Sequence, residues 1–384
     1  MKQALALAMV PILLLTAYMT LWPVPVEPVA WPAPPAPGYV GVHAANDRLA
    51  AIRHIDLHGD ADPESMVLGP DGLLYVSVNS AANGGRIVRM RLDGSAWEVV
   101  ATTGGRPLGL AFDAHGTLLV ADAFKGLLAI RDGRPEPLAP ARFANAVTVA
   151  ASGKIYFTDS SARFTPAQWG TTLEAATLDA MEQSATGRVL EFDPATEQVR
   201  VVAKGLSFAN GLALTGDQRA LLVSESARYR VWKIAVTAHE LDVSLSPPGA
   251  TAQATPPTAP RATILLDNLP GYPDNLTRGA DGRIWLGLAG QRNELDAMAQ
   301  HPFLRRMVLR VPRAWWKTPR PYGHVFAFTD NGDVVADLQD GTGASLLTTG
   351  ATEADGKLYI QGIGSGQLGW LALPHLRQPA TTLR

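Results

Sequence analysis

The chain has 384 residues, a net charge of −2 and 18% charged residues, so no basic field marks it for nucleic acid. It has no cysteine, which excludes disulfides, thiolate metal sites and a cysteine nucleophile. Its apolar content of 47% is ample for a large core, in one domain or two.

Lys2 precedes an uncharged run, ALALAMVPILLLTAYMTLW, over residues 4–22. Its nineteen residues, at about 1.5 Å rise each, nearly span a bilayer core of roughly 30 Å. A cleaved signal peptide has a shorter apolar region and a small-x-small site, for which Pro28-Val29-Ala30 is a poor match. Residues 1–22 are therefore expected to form an uncleaved transmembrane anchor. Lys2 on the short side predicts export of the remainder to the periplasmic or extracytoplasmic side, or secretion if the segment is cut. Residues 23–39 carry seven prolines and predict a semi-rigid extended linker. The folded body is expected over 40–384. Within it, SLSPPGATAQATPPTAP at 244–260 reads as a surface loop.

One cassette recurs along that body: LGPDGLLYVSV from Leu68, FDAHGTLLVAD from Phe112, VAASGKIYFTD from Val149, LTGDQRALLVSE from Leu214, RGADGRIWLGL from Arg278 and ATEADGKLYIQG from Ala351. Each is a tight turn followed by a short β-rich strand. The turn centres, Gly72, Gly116, Gly153, Gln218, Gly282 and Gly356, are 37 to 74 residues apart, with insertions in the longer gaps. Six turn-strand units with further strand-like runs between them predict an all-β fold, a six-bladed β-propeller, behind the N-terminal transmembrane helix. A β-sandwich would not repeat one cassette six times.

Eight residues before each turn centre stand Glu64, Leu108, Asn145, Asn210, Asp274 and Thr348. In a propeller these equivalent positions converge on one level of the central channel. An isolated Asn or Asp before a strand is an ordinary turn residue. Four oxygen-bearing side chains at one offset instead point to a shared cation, which removes the repulsion between two confined carboxylates. The set has two carboxylates, two amides and no thiolate or imidazole. It favours Ca2+, with Mg2+ or Mn2+ as alternatives and Zn2+ less suited. Asn275 offers a further oxygen.

The stretches GRPLGLAFDAHGTLLVADAFKGLLAI, FANAVTVAASGKIYFTDSSARF, GLSFANGLAL, NLPGYPDNLTRGADGRIWLGL and YGHVFAF…LQDGTG carry a resemblance over roughly residues 60–370. Here the chain resembles the strictosidine-synthase-like branch of the superfamily that holds gluconolactonases, regucalcin and paraoxonases. It is most similar to the adipocyte plasma-membrane-associated proteins. The resemblance implies a calcium-dependent six-bladed propeller with Glu64, Asn145, Asn210 and Asp274 as metal ligands. Three departures matter. The branch's FANDV reads FANAV at Phe143–Val147, and Leu108 stands where paraoxonases carry a catalytic histidine. Thr349 aligns with the catalytic glutamate of true strictosidine synthases, which argues against an amine–aldehyde condensation.

The expected chemistry is hydrolysis of a small ester or lactone, with the metal as Lewis acid and Asp274 as general base or nucleophile. His324 in PYGHV, Thr348 and Thr349 are expected to line the substrate space. Ser160 and Ser161 lack a G-x-S-x-G elbow, and with Asp159 and Asp122 they read as turn and packing residues. Asn275-Leu276-Thr277 fits a glycosylation pattern, but a channel strand is a poor acceptor. TTLEAATLDAMEQ predicts a helix, and GQRNELDAMAQHPFLRRMVLRVP one broken by Pro302; both are expected to cap the channel mouth or pack on the propeller side. A non-enzymatic, membrane-tethered binding platform is the alternative reading.

Overall fold

The computed structural model describes residues 2–80, 84–244, 251–252, 261–316, 321–343 and 347–373, with side chains from residue 9 and excepting 251–252. Most of the 244–260 stretch expected as a surface loop lies outside these residues. Six sheets of four or five strands make up the body. Their innermost strands are Asp60–Leu68, Pro107–Phe112, Ala144–Val149, Ala209–Leu214, Gly271–Arg278 and Leu347–Ala354, and each touches the next in a closed circuit. This is a six-bladed propeller, with blades numbered one to six in that order.

The cassettes build it from local rules. Each turn sends the chain from the innermost strand into the second, as in the pairing of Val149 with Ile155 across the Gly153 turn. Gly153 supplies the left-handed backbone there at φ 85°, and Gln218 takes φ 60° without being glycine. Alternating side chains then fill both faces of each blade. One apolar cluster forms between every neighbouring pair of blades, for example Trp285, Val325, Ala351 and Leu358 between five and six. Trp232 and Trp285 are fully buried. Each covers roughly 150–250 Å2, worth about 4–6 kcal/mol at about 25 cal/mol per Å2. The ring closes by joining the two ends of the body: Arg53–Asp56 pairs antiparallel with residues 367–370 as the outermost strand of blade six.

The N-terminal run forms the helix Lys2–Leu21. No helix of the described residues is long and apolar enough to cross a membrane, so the transmembrane reading rests on the sequence. Residues 22–37 do not stand off as a spacer. They lie as a strap against the propeller, with Val26 and Trp31 buried. The Glu27 amide donates to Glu182 Oε2 at 2.8 Å, the Val29 amide to the Glu182 carbonyl at 2.7 Å and the Trp31 amide to Ala299 at 3.2 Å. Arg305 holds the Val29 carbonyl, and Arg310 Nε the Trp22 carbonyl at 2.7 Å. The prolines explain this: an extended segment with few donors leaves its carbonyls outward, ready for guanidinium groups.

Both insertions are helical. Thr171 caps Thr172–Glu182 by accepting from the Glu174 amide at 3.1 Å. The second is broken at Pro302 as expected: the short helical turn Glu294–Met298 ends before it, and Pro302 is the first residue of the helix Pro302–Arg310. Val26, Ala175, Leu178 and Leu309 pack with Leu108, Phe143 and Phe208. Those last three stand where the inner strands of blades two to four begin, so strap and helices cover that end of the channel.

Candidate metal centre

In every blade the pairing of the innermost strand with the second slips near its start, once in five blades and twice in blade five, where a further break lies between Gly271 and Pro273. The breaks fall between Ala61 and Ser65, Pro107 and Leu110, Ala144 and Val147, Ala209 and Leu212, Pro273 and Leu276, and Thr348 and Gly350. A bulge leaves its extra residue unpaired and re-aims the side chain. The bulged residues include Glu64, Leu108, Asn145, Asn210, Asp274 with Asn275, and Thr349. The constant offset from the turn therefore has a cause in blades one to five: each of those hairpins measures the same distance back to its bulge. Gly211 follows Asn210 because blade five comes so close; a Cβ there would lie 2.2 Å from the Asp274 carbonyl oxygen.

Hydroxyl groups fix this level from blade to blade. Ser77 Oγ donates to the Leu108 carbonyl at 2.7 Å, Thr158 Oγ1 to Asn210 at 2.7 Å and Ser224 Oγ to Asp274 at 2.6 Å. Thr349 Oγ1 donates to the Glu64 carbonyl at 2.8 Å, closing the circuit from blade six to blade one.

The amides are oriented in the same way. Asn145 Nδ2 donates to Ser160 Oγ at 3.0 Å, and Asn210 Nδ2 to Ser226 Oγ at 3.2 Å. With the nitrogen ends tied back, Asn145 Oδ1, Asn210 Oδ1 and Asp274 Oδ1 remain buried with no hydrogen-bond partner. Leaving such an acceptor unsatisfied costs roughly 1–3 kcal/mol, and a cation or ordered water at the axis would satisfy all three. The donor set, all oxygen and with two carboxylates, fits a hard divalent cation. Asn275, beside Asp274, also has its nitrogen end tied: Nδ2 donates to the Glu64 carbonyl at 2.9 Å.

Burial pushes the Glu64 carboxyl up to about 7, against the pull of Arg106, whose Nη2 lies 3.6 Å from Glu64 Oε2. Burial, then the charge of Glu64, raises Asp274 well above the usual carboxylate range, against a hydrogen bond from Asn210. Two buried acids that resist ionising together are what a cation would relieve.

The substrate-space residues separate. Thr349 is on the axial circuit. Thr348 is turned into the blade, where Oγ1 accepts from the His324 amide at 2.9 Å. The His324 ring is bonded away from the circuit: Nε2 lies 2.8 Å from Asp337 Oδ2, which also meets His43 Nδ1 at 2.7 Å. Ligands around a tetrahedral zinc, at about 2.0–2.2 Å from the ion, would stand roughly 3.3 Å apart, so these contacts are hydrogen bonds.

Ser160, Ser226 and Arg106 were not singled out as site residues by sequence. A signal existed for the serines. Asp159-Ser160 and Glu225-Ser226 end equivalent strands, and each acid accepts a backbone amide, of Phe143 and Ser207, at 2.8 Å. The acid fastens the strand start and the following serine aims the amide.

The strictosidine synthase family profile matches residues 145–239, and the strictosidine synthase-like N-terminal profile residues 41–90. Strictosidine synthase-like 7 of Arabidopsis thaliana is 34% identical over 62% of this chain and 57% of its own. The chain thus spans a little over half the length of that relative. The adipocyte plasma membrane-associated protein of Bos taurus is 28% identical over 88% of this chain and 82% of its own. Among solved structures, a gluconolactonase from Xanthomonas campestris superposes with TM-score 0.57 at 19% identity, covering 90% of this chain and 99% of that one. Regucalcin, a calcium-binding protein from Agrobacterium tumefaciens, gives 0.55 at 13%, covering 83% and 93%. The chain is similar in sequence to the strictosidine synthase-like and adipocyte plasma membrane-associated proteins, on a fold it shares with gluconolactonase and regucalcin.

Proposed function

We propose that this protein is a divalent-cation-dependent hydrolase of small esters or lactones. Glu64, Asn145, Asn210 and Asp274 would hold the cation, Ca2+ by their all-oxygen chemistry and by the calcium-binding regucalcin neighbour. The carrying observation is the set of three buried side-chain oxygens without a hydrogen-bond partner on neighbouring blades three, four and five. The bound cation supplies Lewis-acid polarisation of the substrate carbonyl and charge stabilisation for the oxyanion, an effect of several kcal/mol.

The chain's own residues do the rest. Asp274, in its ionised form, takes the proton of the attacking water or attacks the carbonyl itself. Ser160 and Ser226 hold the two amides so that their oxygens need not reorganise. Arg106 offsets part of the axial negative charge. Thr349 offers a hydroxyl and no acid–base group, so the condensation chemistry of strictosidine synthases is not proposed.

The test is turnover of aryl esters and a lactone panel by the full chain, with EDTA, with Ca2+, and as Asp274→Ala. Activity lost in both treatments and restored to the parent by Ca2+ supports the reading; activity surviving both removes it. The strap over the channel end favours one alternative, a binding platform, to which calorimetric Ca2+ binding without any turnover would point. We further propose that the helix Lys2–Leu21 anchors the protein with the propeller on the exported side, or that cleavage releases it. Protease accessibility of the propeller from outside intact cells checks the orientation.

A further inference from the structure

We propose that the propeller rests on the bilayer with the covered end of its channel, through an apolar surface formed by the helix Pro302–Arg310, the start of Thr172–Glu182 and the turn Arg313–Trp315. This rests on the anchor reading for Lys2–Leu21 and is independent of the hydrolase reading. The end of the anchor helix is bonded to this surface: Tyr18 Oη donates to the Arg310 carbonyl at 2.9 Å, and Arg310 donates to Met19 and Trp22 carbonyls at 2.9 and 2.7 Å. The Arg313–Glu174 ion pair ties the turn to the second helix.

Around that exit point apolar side chains stand in the open: Trp315 is 77% exposed, Leu173 67%, Trp22 59%, Phe303 52% and Leu304 42%. On Pro302–Arg310 the arginines Arg305 and Arg310 turn inward to backbone carbonyls, while Phe303, Leu304 and Arg306 face out, and the helix has no acid. Clustered exposed apolar groups mark an interaction surface, and Trp beside Arg suits the headgroup level. A bilayer is the occupant because the segment leaving this surface is itself the apolar helix. A helix held in lipid and bonded here leaves the surface nowhere else to lie.

The absence of cysteine allows a direct reading. Phe303→Cys, Leu304→Cys and Trp315→Cys, each in the full chain, take an environment-sensitive fluorophore and are reconstituted in phosphatidylcholine vesicles. Ser152→Cys, on a turn at the opposite end, is the reference. The expected result is a several-fold rise in emission at the three sites, quenched by shallow nitroxide lipids, with no change at 152. Leu173→Cys replaces any variant whose Tm falls. Labels at 303, 304 and 315 that remain as wet as at 152 overturn the docking while leaving the anchor. A chain that does not enter vesicles overturns both.

Discussion

Each axial amide has its nitrogen end tied to a serine and its oxygen end free, so orientation is decided behind the site. Ser160→Ala removes that tie without touching a proposed ligand. Ca2+ affinity should fall about 10- to 100-fold, the range for partners that orient metal ligands, and cation-free Tm should fall as well, because Ser160 Oγ also donates to the buried Ala209 carbonyl at 2.7 Å. Calorimetric titration reads it, and unchanged affinity would show that the amide is held by something else. The acids give a second prediction. Without a cation, burial raises Glu64 to about 7 and Asp274 well above its ordinary value. The native state then holds protons more tightly than the unfolded chain, so its stability falls as pH climbs through that range. A cation displaces those protons. The Tm gain on adding Ca2+ should therefore widen from about pH 5 to about pH 8. Thermal melts in EDTA and in Ca2+ check this, and a gain that narrows with pH counts against the site. Asp274→Asn should raise cation-free Tm above that of the parent at about pH 8 while abolishing most of the gain.

At the scale of the strand, the bulge is the working unit. Gly211→Ala would press a methyl group against the Asp274 carbonyl at 2.2 Å and the Leu276 amide at 2.5 Å, both backbone atoms that cannot swing away. A loss of about 1–3 kcal/mol is expected, together with weaker Ca2+ binding, because the strand carrying Asp274 must shift. Gly153→Ala meets nothing within 4 Å and should cost about 1 kcal/mol through its positive φ alone, leaving affinity intact. Denaturant melts paired with titration separate the two. Bulges also decide what could be read from sequence. Counting from the turn finds Glu64, Asn145, Asn210 and Asp274 because hairpin length is local chemistry. The count lands one residue early in blade six, where Thr349 rather than Thr348 sits on the circuit, because Ala354 and Lys357 close a two-residue turn there, shorter than the turn between Val149 and Ile155. The break at Pro302 was legible because a proline lacks the amide that a continuing helix needs, and the same lack lets it open the next one. The His324 ring is held by Asp337, whose other partner, His43, lies 294 residues away, a pairing that no local spacing shows.

The molecule as a whole is held by a seam. Arg53–Asp56 completes blade six, so the two ends of the body depend on one ladder. Ile55 and Leu368 share one buried cluster with Leu57 and Met66, and Leu368 is fully buried. Leu368→Ala should cost about 2–5 kcal/mol, a Tm drop of roughly 3–7 °C for a body of this size, measured by calorimetry. A smaller loss than at an equally buried leucine of blade three would mean the seam is not where the ring opens. The proline-rich strap belongs to this scale too. Composition did not show its docking, which depends on arginines far along the chain.

The axial circuit has one more property. From Glu64, one direction of travel meets a hydrocarbon at Leu108 and then a carboxamide; the other meets an alcohol at Thr349 and then a carboxylate. No mirror plane runs through such a circle, although the blades that build it are near copies. A reactant with a stereocentre, lying across the axis, would touch carbon on its left and oxygen on its right, and its mirror image would touch the reverse. Handed discrimination is thus written into a scaffold of almost perfect rotational repetition.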